Sequence, residues 1–95
     1  MATIGVLTLE LRIDGSHSLK DKRHVVKGLK DRLRHKFNVA VSEIDYQDLW
    51  QRSVVAAVTV SGDHGHAESV LQSVEQEAAN LLGPMLVSAT IEWLE

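Results

Sequence analysis

The residues of this chain best suited to chemistry are basic, and they are concentrated in one segment. Eight of the ten Lys and Arg residues lie between Lys20 and Lys36, where only two acids oppose them. The remainder of the chain carries two bases against eleven acids, so the net charge of −3 conceals a very uneven distribution of charge along the chain. Clustered Lys and Arg side chains attract polyanions, above all the phosphates of nucleic acids. The pattern therefore predicts an anionic partner, with RNA as the candidate.

Two other polar groups are weaker candidates for a site. Asp63, His64 and His66 have side chains that can bind metals, but positions i and i+2 do not share a helix face and no third ligand is evident. A solvated helix start is the simpler interpretation. The segment 43–50 combines carboxylates with Tyr46 and Trp50. It is typical of a charged loop with an aromatic side chain tucked over the edge of the core, although Trp50 would be an unusual residue to leave on a surface.

The elements that must position these residues follow from the hydrophobic periodicity. Alternation of period two predicts four strands, at 3–13, 38–44, 52–61 and 85–94. Apolar residues at helical spacing predict two helices, at about 19–37 and 64–82. Ser18 and Asp63 are expected to cap the helix starts, and Gly83-Pro84 to end the second helix. The order β-α-β-β-α-β predicts an α+β ferredoxin-like sandwich in one domain over residues 1–95, with two helices on one face of a four-stranded antiparallel sheet.

On the first helix the basic residues form a stripe beside the apolar one. Its members are spaced by three and four residues, and the stripe is centred about 100° from the apolar face and runs for about 20 Å. Such a stripe contacts phosphates without reading base sequence. The residues predicted to bind RNA are Lys20, Lys22, Arg23, Lys27, Lys30, Arg34 and, from the third strand, Arg52. A solvated helix face is the equally simple alternative.

The predicted sheet offers neither a base-stacking surface nor a catalytic one. RNA-recognition motifs share this topology but stack bases on aromatic residues of the two central strands. The strands predicted at 3–13 and 52–61 contain none. Acylphosphatases also share the architecture, but the loop 14–18 lacks their phosphate-binding Arg. There is no Gly-rich phosphate loop, no Ser nucleophile motif and no cysteine. We therefore predict a non-enzymatic protein without a cofactor or a metal.

The sheet face opposite the helices is predicted to be small, β-branched and uncharged. Its expected members are Ile4, Val6, Thr8, Val55, Ala57, Thr59, Leu86, Ser88 and Thr90. Antiparallel sheets with one face exposed to solvent and homodimer interfaces both present such faces. A homodimer is therefore a candidate assembly.

The N-terminal segment is expected to be a strand and not a leader sequence. Glu10 and Arg12 interrupt its apolar residues, and no apolar run in the chain approaches the roughly 20 residues needed to span a bilayer. The absence of cysteine fits a reducing compartment. We expect a cytoplasmic protein that does not enter membranes.

Three sequence motifs are informative together. They are SLKDKR at 18–23, FNVAVSE at 37–43 and DLWQR at 48–52. In this combination the chain resembles the YlxP-like family of uncharacterised bacterial proteins, domain of unknown function 503. The resemblance implies a ferredoxin-like fold and a link to translation, because such genes commonly lie beside those for ribosome-binding factor A and initiation factor two. It transfers no catalytic residue. The matching positions that merit testing are Ser18, Lys20, Lys22, Arg23, Trp50 and Arg52.

The leading hypothesis is an accessory protein of ribosome assembly or translation, with ribosomal RNA or the small ribosomal subunit as partner. One alternative is a small-ligand regulatory module resembling ACT domains, in which residues 14–18 would line the pocket. Another is a homodimeric interaction module that uses the open sheet face.

Overall fold

The computed structural model describes residues 1–94. Its strands are β1 (Thr3–Arg12), β2 (Ala40–Asp45), β3 (Arg52–Ser61) and β4 (Leu86–Leu94), and its helices are α1 (Leu19–Lys36) and α2 (His64–Leu82). The strands form one sheet in the order β2-β3-β1-β4, and every neighbouring pair is antiparallel. This arrangement confirms the predicted ferredoxin-like sandwich.

Short-range hydrogen bonds fix the helix ends where the sequence predicts them. Ser18 Oγ accepts a hydrogen bond from the Asp21 amide at 3.0 Å, and Asp63 Oδ2 accepts one from the His66 amide at 3.1 Å. Each bond satisfies an amide that the first helical turn leaves without a partner. Gly83 ends α2 with a φ of 55°, a conformation that glycine adopts without the steric penalty of a Cβ.

The core lies between the sheet and the two helices. β1 contributes its odd-numbered side chains, and each helix contributes one stripe. The core residues with no exposed surface include Leu7, Leu9, Leu11, Leu29, Leu33, Val55, Leu71 and Val74. α1 is thereby held with a fixed face on the sheet, which determines where its basic side chains project.

The orientation predicted for β3 is wrong. Val55, Ala57 and Thr59 were expected on the open face, but all three are buried on the helix-covered face. Ala57 lies opposite Leu7 and Val55 opposite Leu9 in the antiparallel register, and opposed residues share a face. The open face of β3 instead carries residues 54, 56, 58 and 60. Because β3 is apolar on both faces, its alternation could not distinguish them.

The faces predicted for the first residues of β4 are also wrong, for a different reason. The register between β1 and β4 shifts, with Glu10 opposite Ser88 but Leu11 opposite Leu86. Val87 is therefore an extra residue in β4, and such a bulge changes the face on which the preceding side chains lie. As a result Leu86 packs against the core and Val87 is exposed, the reverse of the prediction.

Candidate functional site

Four of the predicted RNA-binding residues line one groove beside α1. Val26, Leu29 and Leu33 bury the adjacent face of the helix. The basic stripe beside that face is turned towards β2, because Glu43 of β2 lines the same groove and Arg34 bonds the Val41 carbonyl oxygen. The groove has a volume of about 420 Å³, and its charged residues are Arg23, Lys27, Lys30, Asp31, Arg34 and Glu43. We call it the basic groove. Lys20 lies next to it, in a depression shared with Arg23 and Lys27.

The basic side chains of the groove differ in the ion pairs and hydrogen bonds that they already form within the protein. Lys27 Nζ lies 2.6 Å from Asp31 Oδ2, and this hydrogen bond holds the pKa of Asp31 below its ordinary value of 3.8. Arg34 Nη2 donates to the Val41 carbonyl oxygen at 2.6 Å. Within residues 1–94, Arg23 and Lys30 form no ion pair. These two side chains are the ones most available to an incoming anion.

Lys22 does not belong to the exposed set in which the sequence placed it. Its side chain is 1% exposed, its Nζ lies 2.9 Å from Glu43 Oε2, and it donates a hydrogen bond to the Tyr46 carbonyl oxygen. An ammonium satisfied inside the protein does not contact phosphates. The signal was present in the spacing, because Lys22 precedes Val26 by four residues and so shares its buried helix face.

Arg52 also lies away from the basic groove. Its Nη2 pairs with Glu10 Oε1 at 3.1 Å, and its guanidinium carbon lies 4.2 Å from the centre of the Tyr46 ring. Even-numbered residues of β3 face away from the helices, so Arg52 lies on the open side of the sheet. The structure therefore does not bring it together with the α1 residues.

Polar contacts hold the loop 46–51 between β2 and β3. Glu43 Oε2 accepts from Ser53 Oγ at 2.6 Å in addition to its pairing with Lys22. Gln51 Nε2 donates to the carbonyl oxygens of Asp14 at 3.2 Å and Ser16 at 3.1 Å. Tyr46 is half-buried, and its ring lies against the Arg52 guanidinium. Trp50 instead projects into solvent, with 53% of its surface exposed.

The candidate metal ligands are not assembled into a site in the described part of the chain. His64 Nε2 lies 3.8 Å from Glu68 Oε2, and its ring centre is 4.2 Å from that of Trp93. Among residues 1–94 there is no group of three or more His, Asp or Glu side chains placed to hold a metal ion.

The turn after β1 borders a cavity of about 390 Å³. Asp14, Gly15 and Ser16 contribute to its wall, together with Asp21 at the start of α1 and Pro84 before β4. Ser16 is buried, and its hydroxyl donates to the Ser18 carbonyl oxygen at 3.1 Å. The turn 14–18, which the small-ligand alternative predicts to line a pocket, therefore borders a cavity.

The antiparallel sheet with both helices on one face defines a ferredoxin-like α+β protein, and solved structures agree. The de novo designed protein Foldit4 superposes with a TM-score of 0.62 at 10% identity, covering 100% of this chain and 98% of that one. A dimeric ferredoxin-like protein of unknown function from Thermobifida fusca gives 0.59 at 14% identity, covering 98% and 90%. At such identities the likeness extends to the fold alone.

The sequence comparison is more specific. Residues 4–90 match the family described as protein of unknown function DUF503. The uncharacterized protein YlxP of Bacillus subtilis (strain 168) is 44% identical over 71 residues, which are 75% of this chain and 77% of that protein. The chain belongs to the DUF503 family, as the three motifs indicated. In the described residues, no helix has the length and apolar character of a bilayer span.

Proposed function

We propose that this protein is a non-enzymatic accessory factor of ribosome assembly or translation that binds RNA phosphates through the basic groove. The observation that carries the proposal is the convergence of Arg23, Lys27, Lys30 and Arg34 on one groove in a chain whose net charge is negative. The implied link of YlxP-like proteins to translation supports ribosomal RNA as the partner.

The dimensions of the groove suit a phosphate backbone. Arg23 and Arg34 are eleven residues apart, which is about 16 Å along a helix. Phosphates of one strand in a duplex are about 3.4 Å apart along the axis, so the groove can meet several of them. Arg23 and Lys30, which have no ionic partner within residues 1–94, would make the principal contacts. Lys27 can exchange Asp31 for phosphate, because an exposed ion pair contributes little.

The test is co-sedimentation with purified small ribosomal subunits at about 50 and about 200 mM salt, comparing Lys30→Glu with Arg12→Glu. Both variants change the charge equally, but Arg12 lies at the end of β1, outside the groove. We expect Lys30→Glu to weaken binding and to reduce the slope of log affinity against log salt by about 0.7 to 0.9 per lost phosphate contact. Lys27→Glu is a poorer probe, because the new carboxylate would face Asp31.

Arg12→Glu is expected to bind almost as the wild type does. Equal losses in the two variants would show that only overall charge matters, and would contradict binding through the basic groove. If the wild-type protein fails to sediment at either salt concentration, the RNA proposal fails as a whole.

A small-ligand function is the second candidate, and the cavity beside Asp14–Ser16 favours it. A thermal-shift screen against amino acids and nucleotides tests it. A ligand that raises the unfolding temperature of the wild type but not of Gly15→Trp, which places an indole in the cavity wall, would support this function. A uniformly flat screen would remove it.

We also propose a homodimer formed through the open sheet face. The corrected orientation of β3 makes this face more apolar than the sequence predicted, because valines 54, 58 and 60 replace Val55, Ala57 and Thr59. Val60 is 60% exposed. Apolar patches of this kind commonly mark interfaces.

A further inference from the structure

The loop 46–51 presents two large apolar side chains to solvent. Trp50 is 53% exposed and Leu49 is 45% exposed. A loop free to move could fold such side chains onto the protein and remove their apolar surface from water. The hydrogen bonds at the two ends of the loop show why this loop does not.

The first end is held in a conformation that few residues adopt. Tyr46 has a φ of 61°, in the left-handed region that is uncommon for residues with a Cβ. Its amide donates to Asp45 Oδ1 at 2.8 Å. Its carbonyl oxygen accepts from Lys22 Nζ and from the Leu49 amide, the latter at 3.0 Å. A buried lysine therefore fixes the backbone four residues before Trp50, and such enforced conformations cluster at functional sites.

The second end is fixed immediately after Trp50. Gln51 Nε2 donates to the carbonyl oxygens of Asp14 and Ser16, and the backbone carbonyl oxygen of Gln51 accepts from the Ile13 amide at 2.9 Å. Both ends of the loop are thus attached to neighbouring elements. This framework leaves the Trp50 side chain exposed.

The same polar network joins the loop to the basic groove. Glu43 lines the groove and pairs with Lys22, which bonds the loop at Tyr46. Lys22 directly precedes Arg23, the first basic residue of the groove. The Tyr46 end of the loop therefore lies at the Arg23 end of the row of cations, and Trp50 follows Tyr46 by four residues.

We propose that Trp50 stacks on an unpaired RNA base while the adjacent phosphates occupy the basic groove. This inference rests on the proposed function and specifies its substrate as single-stranded or looped RNA. Exposed aromatic rings next to a cationic groove bind unpaired bases, because every base has a face that can stack. A protein partner fits less well, because the two exposed apolar side chains of the loop are flanked by Asp48 and Arg52 and offer little of the area that a protein interface needs.

The test compares three probes: a short unstructured RNA oligonucleotide, the same sequence as a duplex, and inorganic polyphosphate. Stacking on one base is worth a factor of about 5 to 150 in affinity. We expect Trp50→Ala to weaken binding of the single strand by about tenfold, within that range, and to leave the duplex, polyphosphate and the salt slope unchanged. Trp50→Phe keeps an aromatic ring and should keep most of the affinity.

Tryptophan fluorescence provides a readout that affinity alone does not. Binding of the single strand should quench the emission of the wild type, whereas duplex should not. The quenching should disappear in Trp50→Phe, in which Trp93 is the remaining tryptophan. Because Trp50 is exposed, Trp50→Ala and Trp50→Phe should both unfold within a few degrees of the wild type. A melting curve checks that they are folded.

The outcomes separate this inference from the proposed function. If Lys30→Glu weakens single-strand binding but Trp50→Ala does not, the groove binds RNA and the stacking inference is overturned. Equal losses for all three probes would mean that Trp50 acts through the loop structure. A loss seen only with intact small subunits, and not with the RNA oligonucleotide, would overturn stacking on an unpaired base. A wild type that binds neither RNA would overturn both proposals.

Discussion

Lys22 and Glu43 form an ion pair that the fold largely removes from water. Lys22 is 1% exposed and the Glu43 side chain 16% exposed, and each forms one further hydrogen bond, Lys22 to the Tyr46 carbonyl oxygen and Glu43 from the Ser53 hydroxyl. A pair of this kind adds little net stability compared with apolar residues, because the charges lose their hydration. Removing one partner is different, since it leaves the other charge uncompensated.

We therefore predict that Lys22→Met lowers the free energy of unfolding by about 3 kcal/mol, measured by urea denaturation at neutral pH. Adding Glu43→Gln should recover much of this loss. The amide removes the isolated charge and still accepts the hydrogen bond from Ser53. Arg23→Met is the matched control, and as an exposed neighbour it should change stability by about 0.5 kcal/mol or less.

Additive effects in the double variant would show that the two side chains are energetically independent. That result would leave the geometry of the pair without an energetic role. It would also weaken the argument that Lys22 holds the loop that carries Trp50.

At the scale of elements, Glu77 joins the two helices. Glu77 on α2 forms ion pairs with two residues of α1. Its carboxylate oxygens lie 2.6 Å from Lys36 Nζ and 3.0 Å from Arg32 Nε. The hydrogen bond from Lys36 is the main cause that holds the pKa of Glu77 below its ordinary value of 4.5, with the charges of Lys36 and Arg32 adding to it. A carboxylate whose pKa is lower in the folded state stabilises that state only while it is ionised.

The sign of the pH dependence follows from this shift. The contribution of Glu77 is fully present above pH 4.5 and is lost as the pH falls through the lower folded pKa. We predict that Glu77→Gln unfolds at a lower temperature than the wild type at pH 7, and that the two unfolding temperatures converge below pH 4.5. Thermal unfolding followed by circular dichroism across this range measures the difference. Glu75→Gln on the same helix, which loses no ion pair within residues 1–94, should show no such convergence.

The elements also show where sequence reasoning succeeds and where it cannot. α1 and α2 were located because their apolar stripes and their caps at Ser18 and Asp63 agree. β3 was located but inverted, because Val54 to Val60 are apolar on both faces and only the pairing with β1 decides which face is buried. The bulge at Val87 depends on the same long-range pairing.

The candidate site divides in the same way. The basic stripe from Arg23 to Arg34 could be predicted because it depends only on helix geometry. The exposure of Trp50 could not be predicted from residue type, since a tryptophan is usually packed. The burial of Lys22 was indicated only by its spacing from Val26, because a lysine is usually solvated. Both depend on how the loop 46–51 meets α1, which is a tertiary contact.

In the molecule as a whole, the basic groove and the valines of the open sheet face occupy different sides. The basic groove lies beside α1, on the helix side of the sheet, and the open sheet face carries the valines of β3. The two surfaces can therefore be occupied at the same time. A dimer formed through the open sheet face would present two basic grooves, and two linked sites on one RNA bind more tightly than either site alone.

The dimer can be tested at the centre of that face. Val58 lies between Val6 of β1 and Ala40 of β2, and a lysine there would place a charge inside the interface. We predict that the wild type approaches twice the chain mass of 10.5 kDa as concentration rises, whereas Val58→Lys remains at that mass. Sedimentation equilibrium measures both.

Leu81→Lys is the matched control, because Leu81 is an exposed apolar residue on the helix side and its replacement should leave the assembly unchanged. A wild type that remains at the single-chain mass at every concentration would exclude the homodimer. In that case the open sheet face would be exposed to solvent, and RNA affinity should show no contribution from a second groove. If dimerisation does occur, Val58→Lys should weaken binding to long RNA while leaving binding to a short oligonucleotide intact, because only the long RNA can reach both grooves.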